Sequence, residues 1–203
     1  MGLLRDIPYS EVTATMELFN NEGITREHLA LLRKDPEFAD QVVTFLIQKF
    51  LEKTLKVYPV LVDYRLSWSE MLKKANLFWA SGDITKERFP IQGSGQQKVS
   101  LVIVNFGDRC LRHWYALDYF TKYGLEAGRL EHLLALTAQY PSILAEQKTN
   151  FIFPLGTIWL DKGNPVFIRI GGRVLHDRSL CLEIKEDDEF GGGCSFLAIR
   201  KAA

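Results

Sequence analysis

Cysteine is scarce in this chain, with only Cys110, Cys181 and Cys194 among 203 residues. An odd, small number of thiols in a chain of this size excludes a disulfide scaffold. Long apolar runs are also missing. Stretches such as Leu101 to Val104 are typical, far short of the ~18 residues needed to span a bilayer. Neither sign of charge is in excess, because 25 Lys+Arg face 25 Asp+Glu. That balance argues against a general nucleic-acid coat or a membrane-surface protein. Met1 to Ser10 carries no apolar h-region, and position 6 is Asp6 where a myristoylation signal wants Ser or Thr. No Asn-x-Ser/Thr acceptor occurs. The expected location is cytoplasmic, with reduced thiols and no membrane partner. Internal repeats are absent, and neither Ile91-Gln-Gly-Ser-Gly nor Gly191-Gly-Gly carries the Lys-Ser/Thr of a phosphate-cradling loop.

What is present suits a globular chain: 47% hydrophobic and 25% charged residues are enough to fill a core. The pattern changes style near residue 55. Before it, everything reads as helix. Ser10 can cap a helix over Glu11–Asn20, which Gly23 stops. Thr25 caps a second helix carrying Leu29 and Leu32. Asp35-Pro36 supplies a cap and a first-turn proline for a third, with Phe38, Val42, Phe45, Leu46 and Phe50 on one side. We therefore expect a helical segment over 1–55, built as three helices, and an α+β domain over 56–203.

In the second part, Tyr58, Val60, Val62 and Tyr64 alternate as in a strand. Ser67 starts a short helix that ends near Asn76. Val99–Phe106 is almost wholly apolar, which suits a strand buried on both faces. Helices follow over Cys110–Tyr123 and Leu130–Tyr140, stopped by Gly124 and Pro141. The last third reads as strands over Phe151–Trp159, Val166–Ile170, Ser179–Ile184 and Ser195–Arg200. Turns fall at Asp161-Lys-Gly-Asn-Pro, Gly171-Gly172 and Gly191-Gly-Gly193. This order is α+β rather than a regular βαβ alternation.

Tyr58-Pro-Val-Leu-Val-Asp-Tyr, Ser81-Gly-Asp-Ile-Thr, Arg88-Phe-Pro, Leu130-Glu-His-Leu-Leu-Ala-Leu and the final Phe196-Leu-Ala-Ile-Arg-Lys resemble a family of uncharacterised bacterial hypothetical proteins. The resemblance implies a shared architecture and carries no activity. The order of Val99–Phe106, Cys110–Tyr123, Leu130–Tyr140, Phe151–Trp159 and Cys194–Arg200 is also similar to C-type-lectin-like domains, to which the formylglycine-generating enzyme fold is related. Three cysteines cannot make the paired disulfides of lectin domains. Their Glu-Pro-Asn and Trp-Asn-Asp ligand motifs are absent, so sugar binding does not carry over.

Candidate chemistry sits in a few places. Cys110 and His113, three apart on one helix face, could join Cys181 and Cys194 in a Cys₃His Zn²⁺ site, or work as a Cys–His nucleophile pair. The ordinary alternative is buried structural thiols. Arg169, Arg173, His176, Asp177 and Arg178 could grip an anionic ligand, or form a polar hairpin facing water. The run Glu186, Asp187, Asp188 and Glu189 could hold Ca²⁺, although it lacks the spacing of an EF-hand and suits a solvated hairpin tip. A helix-turn-helix regulator is a further alternative, with Arg26, His28, Arg33 and Lys34 on the second helix. Against it, residues 1–56 hold seven basic and nine acidic residues, a net of −2, the wrong sign for phosphate binding. The main expectation is therefore a non-enzymatic module that uses the loops between Trp159 and Gly193 to bind a protein or small molecule, with no obligatory cofactor and no nucleic-acid partner.

Overall fold

The computed structural model describes residues 25–107, 110–172, 178–184 and 189–200, together with Glu17. The chain divides into two units, Met1–Phe50 and Leu51–Ala203. The expected first helix lies outside the described residues. Helix α1 is Arg26–Lys34 and α2 is Pro36–Thr54. The backbone N–H of Thr25 donates to Nδ1 of His28 at 3.1 Å, and that of Phe38 donates to Oδ1 of Asp35 at 3.0 Å. Both side chains thereby occupy otherwise orphaned donors at a helix start. Phe38 and Leu46 of the expected apolar stripe are exposed.

The second unit begins with β1 (Val57–Asp63), α3 (Trp68–Ala75), β2 (Trp79–Ala80) and β3 (Gln96–Asn105). Next come β4 (Leu111–Arg112), α4 (His113–Lys122), β5 (Leu125–Ala127), α5 (Leu130–Gln139) and the short α6 (Ile143–Glu146). Strands β6 (Phe151–Phe153), β7 (Ile158–Asp161), β8 (Asn164–Gly171), β9 (Ser179–Ile184), β10 (Glu189–Phe190) and β11 (Cys194–Arg200) complete it. Among the described residues the main sheet runs β1-β3-β11-β6-β8-β9-β2, with β5 against β11 and β7 against β8. The β11–β6 and β9–β2 pairs are parallel and the others antiparallel. The class is α+β. No described helix is long and apolar enough to cross a membrane.

The all-apolar run in β3 has a direct cause: the sheet is packed on both faces. Leu101 and Ile103 point into one core, shared with Met71 of α3 and Leu130, Leu133 and Leu134 of α5. Val102 and Val104 point into the other, shared with Ala116 and Phe120 of α4. Alternation then places Leu197 of β11 in the first core and Phe196 and Ala198 in the second. The second core is aromatic, with Phe190 meeting Phe153, Phe167 and Phe196 edge to face at 4.7–5.2 Å.

Several boundaries differ from expectation for local reasons. Phe151–Trp159 is two strands, because Pro154 has no N–H for a ladder and Gly156 turns against Gly128, donating to its carbonyl at 2.8 Å. The helix expected from Cys110 starts at His113, since Leu111 and Arg112 pair instead with β10. The β7–β8 hairpin closes through Lys162 (φ 50°) and Gly163 (φ 89°), the left-handed pair that a two-residue turn requires.

Candidate functional site

The loop after β1 and the first turn of α5 meet to form a polar cluster inside the first core. Ser67 starts α3 with a reciprocal cap, its Oγ accepting from Glu70 N while Glu70 Oε2 accepts from Ser67 N at 2.8 Å. Trp68 then donates from its indole to the carbonyl of Phe89 at 2.8 Å, which anchors the long loop between β2 and β3. That loop brings Gln92 and Gly93 over the start of α5. A Cβ on Gly93 would stand 2.5 Å from the Tyr64 ring, so only glycine lets the backbone come this close.

His132 is 1% exposed. Its Nδ1 accepts the backbone N–H of Arg129 at 2.9 Å, and its Nε2 lies 2.8 Å from Tyr64 Oη. An Nδ1 that accepts leaves the ring hydrogen on Nε2, so the imidazole donates to the tyrosine oxygen. Burial, and then the nearby Arg129 charge, push the His132 pKa down to about 4. Burial also raises that of Tyr64. This pair is neutral near pH 7.

Glu131, beside it, is 2% exposed. Its Oε1 accepts the backbone N–H of Gln92 at 2.7 Å and lies 3.5 Å from Arg129 Nε. Arg129 also donates from Nη2 to the carbonyl of Gln92. The carboxylate sits in the first turn of α5, where the positive helix end favours it.

Glu131 forms one wall of a pocket of about 260 Å³ between β1, α3 and α5. Leu66, Met71, Leu134, Ala135 and Ala138 supply an apolar lining, and Lys74, Asp63 and Gln139 supply polar groups. Asp63 is already engaged: Arg65 Nε and Nη2 reach its two oxygens at 2.8 Å, and Gln96 Nε2 reaches Oδ2 at 2.7 Å. These contacts hold its carboxyl well below the ordinary range. Gln139 uses its amide on the free edge of β1, accepting from Leu61 N at 3.1 Å and donating to Leu61 O at 3.0 Å. A second, more open trough of about 650 Å³ lies across the Tyr64–Ser67 loop.

The residues singled out in the sequence are placed elsewhere. Arg169 pairs through Nε with Glu183 Oε2 at 2.5 Å and lies over the Phe151 ring at 4.0 Å. Arg178 departs from the expectation of a ligand-gripping group. It is 3% exposed and donates from Nη1 to Thr137 O and from Nη2 to Asn76 O, both at 3.2 Å. Its charge holds two helix ends instead of facing a ligand. Arg173, His176, Asp177, Glu186, Asp187 and Asp188 lie outside the described residues. Glu189 is exposed and lies 3.8 Å from Arg112.

The proposed Zn²⁺ ligands do not converge. Among the described residues no three His, Cys, Asp or Glu side chains form a group that could hold a metal. Cys181 on β9 and Cys194 on β11 are separated by β6 and β8. Cys110 is exposed, while His113 turns its ring toward buried Phe167, centroids 5.4 Å apart. Cys110 instead lines a surface pocket of about 390 Å³ with Trp114 and Tyr115. Those two aromatics are exposed, as is Trp79, whereas Trp68 is core.

Sequence reasoning passed over Glu131 and His132. The available signal was Arg129-Leu-Glu-His at a helix start: a titratable pair amid Leu130, Leu133 and Leu134 cannot face water on every side. Architecture and site together define a two-faced α+β protein with a small pocket ending on a buried carboxylate. Protein-family models, curated proteins and solved structures show no match to this chain.

Proposed function

We propose that this protein is a non-enzymatic binding module that takes a small ligand into the pocket between β1, α3 and α5. The observation that supports this most directly is the pairing of an apolar pocket of about 260 Å³ with the buried carboxylate of Glu131. Apolar concavities with a few placed polar groups are the usual form of a ligand site. A binding role is favoured over catalysis because both ring nitrogens of the buried His132 are already engaged. The likeness to C-type-lectin-like element order remains part of this proposal, supported by the run β3, α4, α5 and a last strand, β11, paired back onto β3.

A protein-binding surface is a second reading, favoured by exposed Trp114 and Tyr115 beside Cys110. The helix-turn-helix alternative has the length of α1 in its favour and the −2 charge of residues 1–56 against it.

The test is a ligand-detected NMR screen of the full chain against a small fragment library, repeated on Ala138→Phe and on Leu61→Trp, which fill the pocket from α5 and from β1. Binding by the native chain that disappears in both folded variants supports the site. Binding that survives both, or no binding at all, removes it.

A further inference from the structure

The contacts around the pocket define the charge pattern of what it accepts. Among the described residues, Glu131 makes both of its polar contacts through Oε1. Its Oε2 is therefore the acceptor left for an occupant, on a carboxylate whose place is fixed by Gln92 and Arg129. A carboxyl oxygen on the pocket wall, on a side chain only 2% exposed, is best met by a hydrogen-bond donor such as an ammonium. Asp63 cannot compete, because Arg65 and Gln96 cover both of its oxygens.

Lys74 lies three residues after Met71 on α3, hence on the same face. It lines the pocket and has no hydrogen-bond or ion-pair partner among the described residues. Glu70, one turn earlier, accepts from Ser67 through Oε2 and feels the Lys74 charge as well. Lys74, exposed at the pocket mouth, is the cation on the pocket wall. An occupant carboxylate balances it. Between these two points the lining is Leu66, Met71, Leu134, Ala135 and Ala138. The volume, about 260 Å³, lies just under the roughly 300–1,000 Å³ usual for drug-sized ligands.

We infer that the pocket recognises a zwitterion with a short apolar body, an apolar α-amino acid, whose ammonium meets Glu131 and whose carboxylate meets Lys74. This rests on the pocket being a ligand site, as proposed above. It adds that both charged ends are read.

Isothermal titration of the full chain decides it, with L-alanine, L-valine, L-leucine, L-methionine and L-phenylalanine as probes. The best binder is then compared with its N-acetyl form, which lacks the ammonium, and its amide, which lacks the carboxylate. Each blocked form is expected to bind about ten- to a hundredfold more weakly, the scale of one charge-assisted contact. Glu131→Gln keeps an acceptor for Gln92 and should erase the penalty for acetylation alone. Lys74→Met should erase the penalty for amidation alone. Blocked forms that bind as well as the free amino acid overturn the zwitterion and leave the pocket standing. Silence from all five amino acids, when the fragment screen finds pocket binders, does the same. Silence in both experiments overturns the pocket itself.

Discussion

The guanidinium of Arg178 donates from Nη1 to the main-chain carbonyl of Thr137, 3.2 Å away and two residues before the end of α5. Its Nη2 reaches Asn76 O at the C-cap of α3. One buried cation thus faces the negative ends of both helices that form the pocket. Replacement by Met fills the space but leaves both carbonyls without their charged donor. Arg178→Met is expected to lose about 2–4 kcal/mol of stability, read from urea midpoints at constant slope. A loss below 0.5 kcal/mol, the usual bound for a surface change, would contradict this role.

His132 gives stability a definite pH dependence. Its folded pKa, about 4, is below the ordinary 6.5, so between these values the unfolded chain binds more protons. Stability from this group is fully present above pH 6.5, falls as the pH drops toward 4, and is constant below. The full amplitude is about 3 kcal/mol. His132→Gln retains an acceptor for the Arg129 amide and should flatten that limb in urea titrations at pH 7, 6, 5 and 4. An unchanged slope would show that another group is responsible.

Gln139 seals the outer edge of β1 with its amide, and Tyr140 adds a bond from Oη to Pro59 O at 3.1 Å. Open edges recruit other strands. Gln139→Ala should lower stability by about 1–2 kcal/mol and raise concentration-dependent self-association, followed by light scattering. A variant that stays monomeric at every concentration would remove the edge argument.

Gly93→Ala brings a methyl against the Tyr64 ring. The expected cost is about 1–3 kcal/mol, with the loop over Glu131 displaced. Faster amide exchange at Gln92 would report that displacement, and unaltered exchange would contradict it.

Thiol labelling tests the surroundings of the cysteines. Cys110 is exposed, whereas Cys181 and Cys194 are half-buried. Cys110 should react first with a bulky disulfide reagent, and Cys110→Ala should remove that fast phase alone. Three equal rates would contradict the placement.

How much was legible follows from which interactions are local. Caps at Thr25, Ser67 and Asn76, the stop at Gly124 and the Lys162-Gly163 turn are short-range chemistry, and the structure places elements accordingly. The nearly all-apolar run Val99–Phe106 implied burial on two faces, and its centre, Leu101–Val104, is buried on both. Short pairings such as β2 with β9 and β4 with β10 have no periodicity of their own, since a partner far along the chain creates them. The site was less legible still. Arg169 and Arg178 look like ligand-binding groups in one dimension, and only Phe151, Glu183, Thr137 and Asn76 reveal where they are spent. Glu131 and Lys74 face one cavity from different helices, a relationship that no spacing encodes.

The position of β11 sets an order of events during synthesis. It is the latest of the described strands to be made, yet it sits between β3 and β6 and pairs with Asn105 through Ser195, ninety positions away along the chain. Until residues 194–200 emerge, the nascent sheet is two separate halves, each presenting an open flank in its middle. Such distant closure makes folding slow and prolongs the interval in which those flanks can capture one another between molecules. The centre of the sheet is the last part to be built.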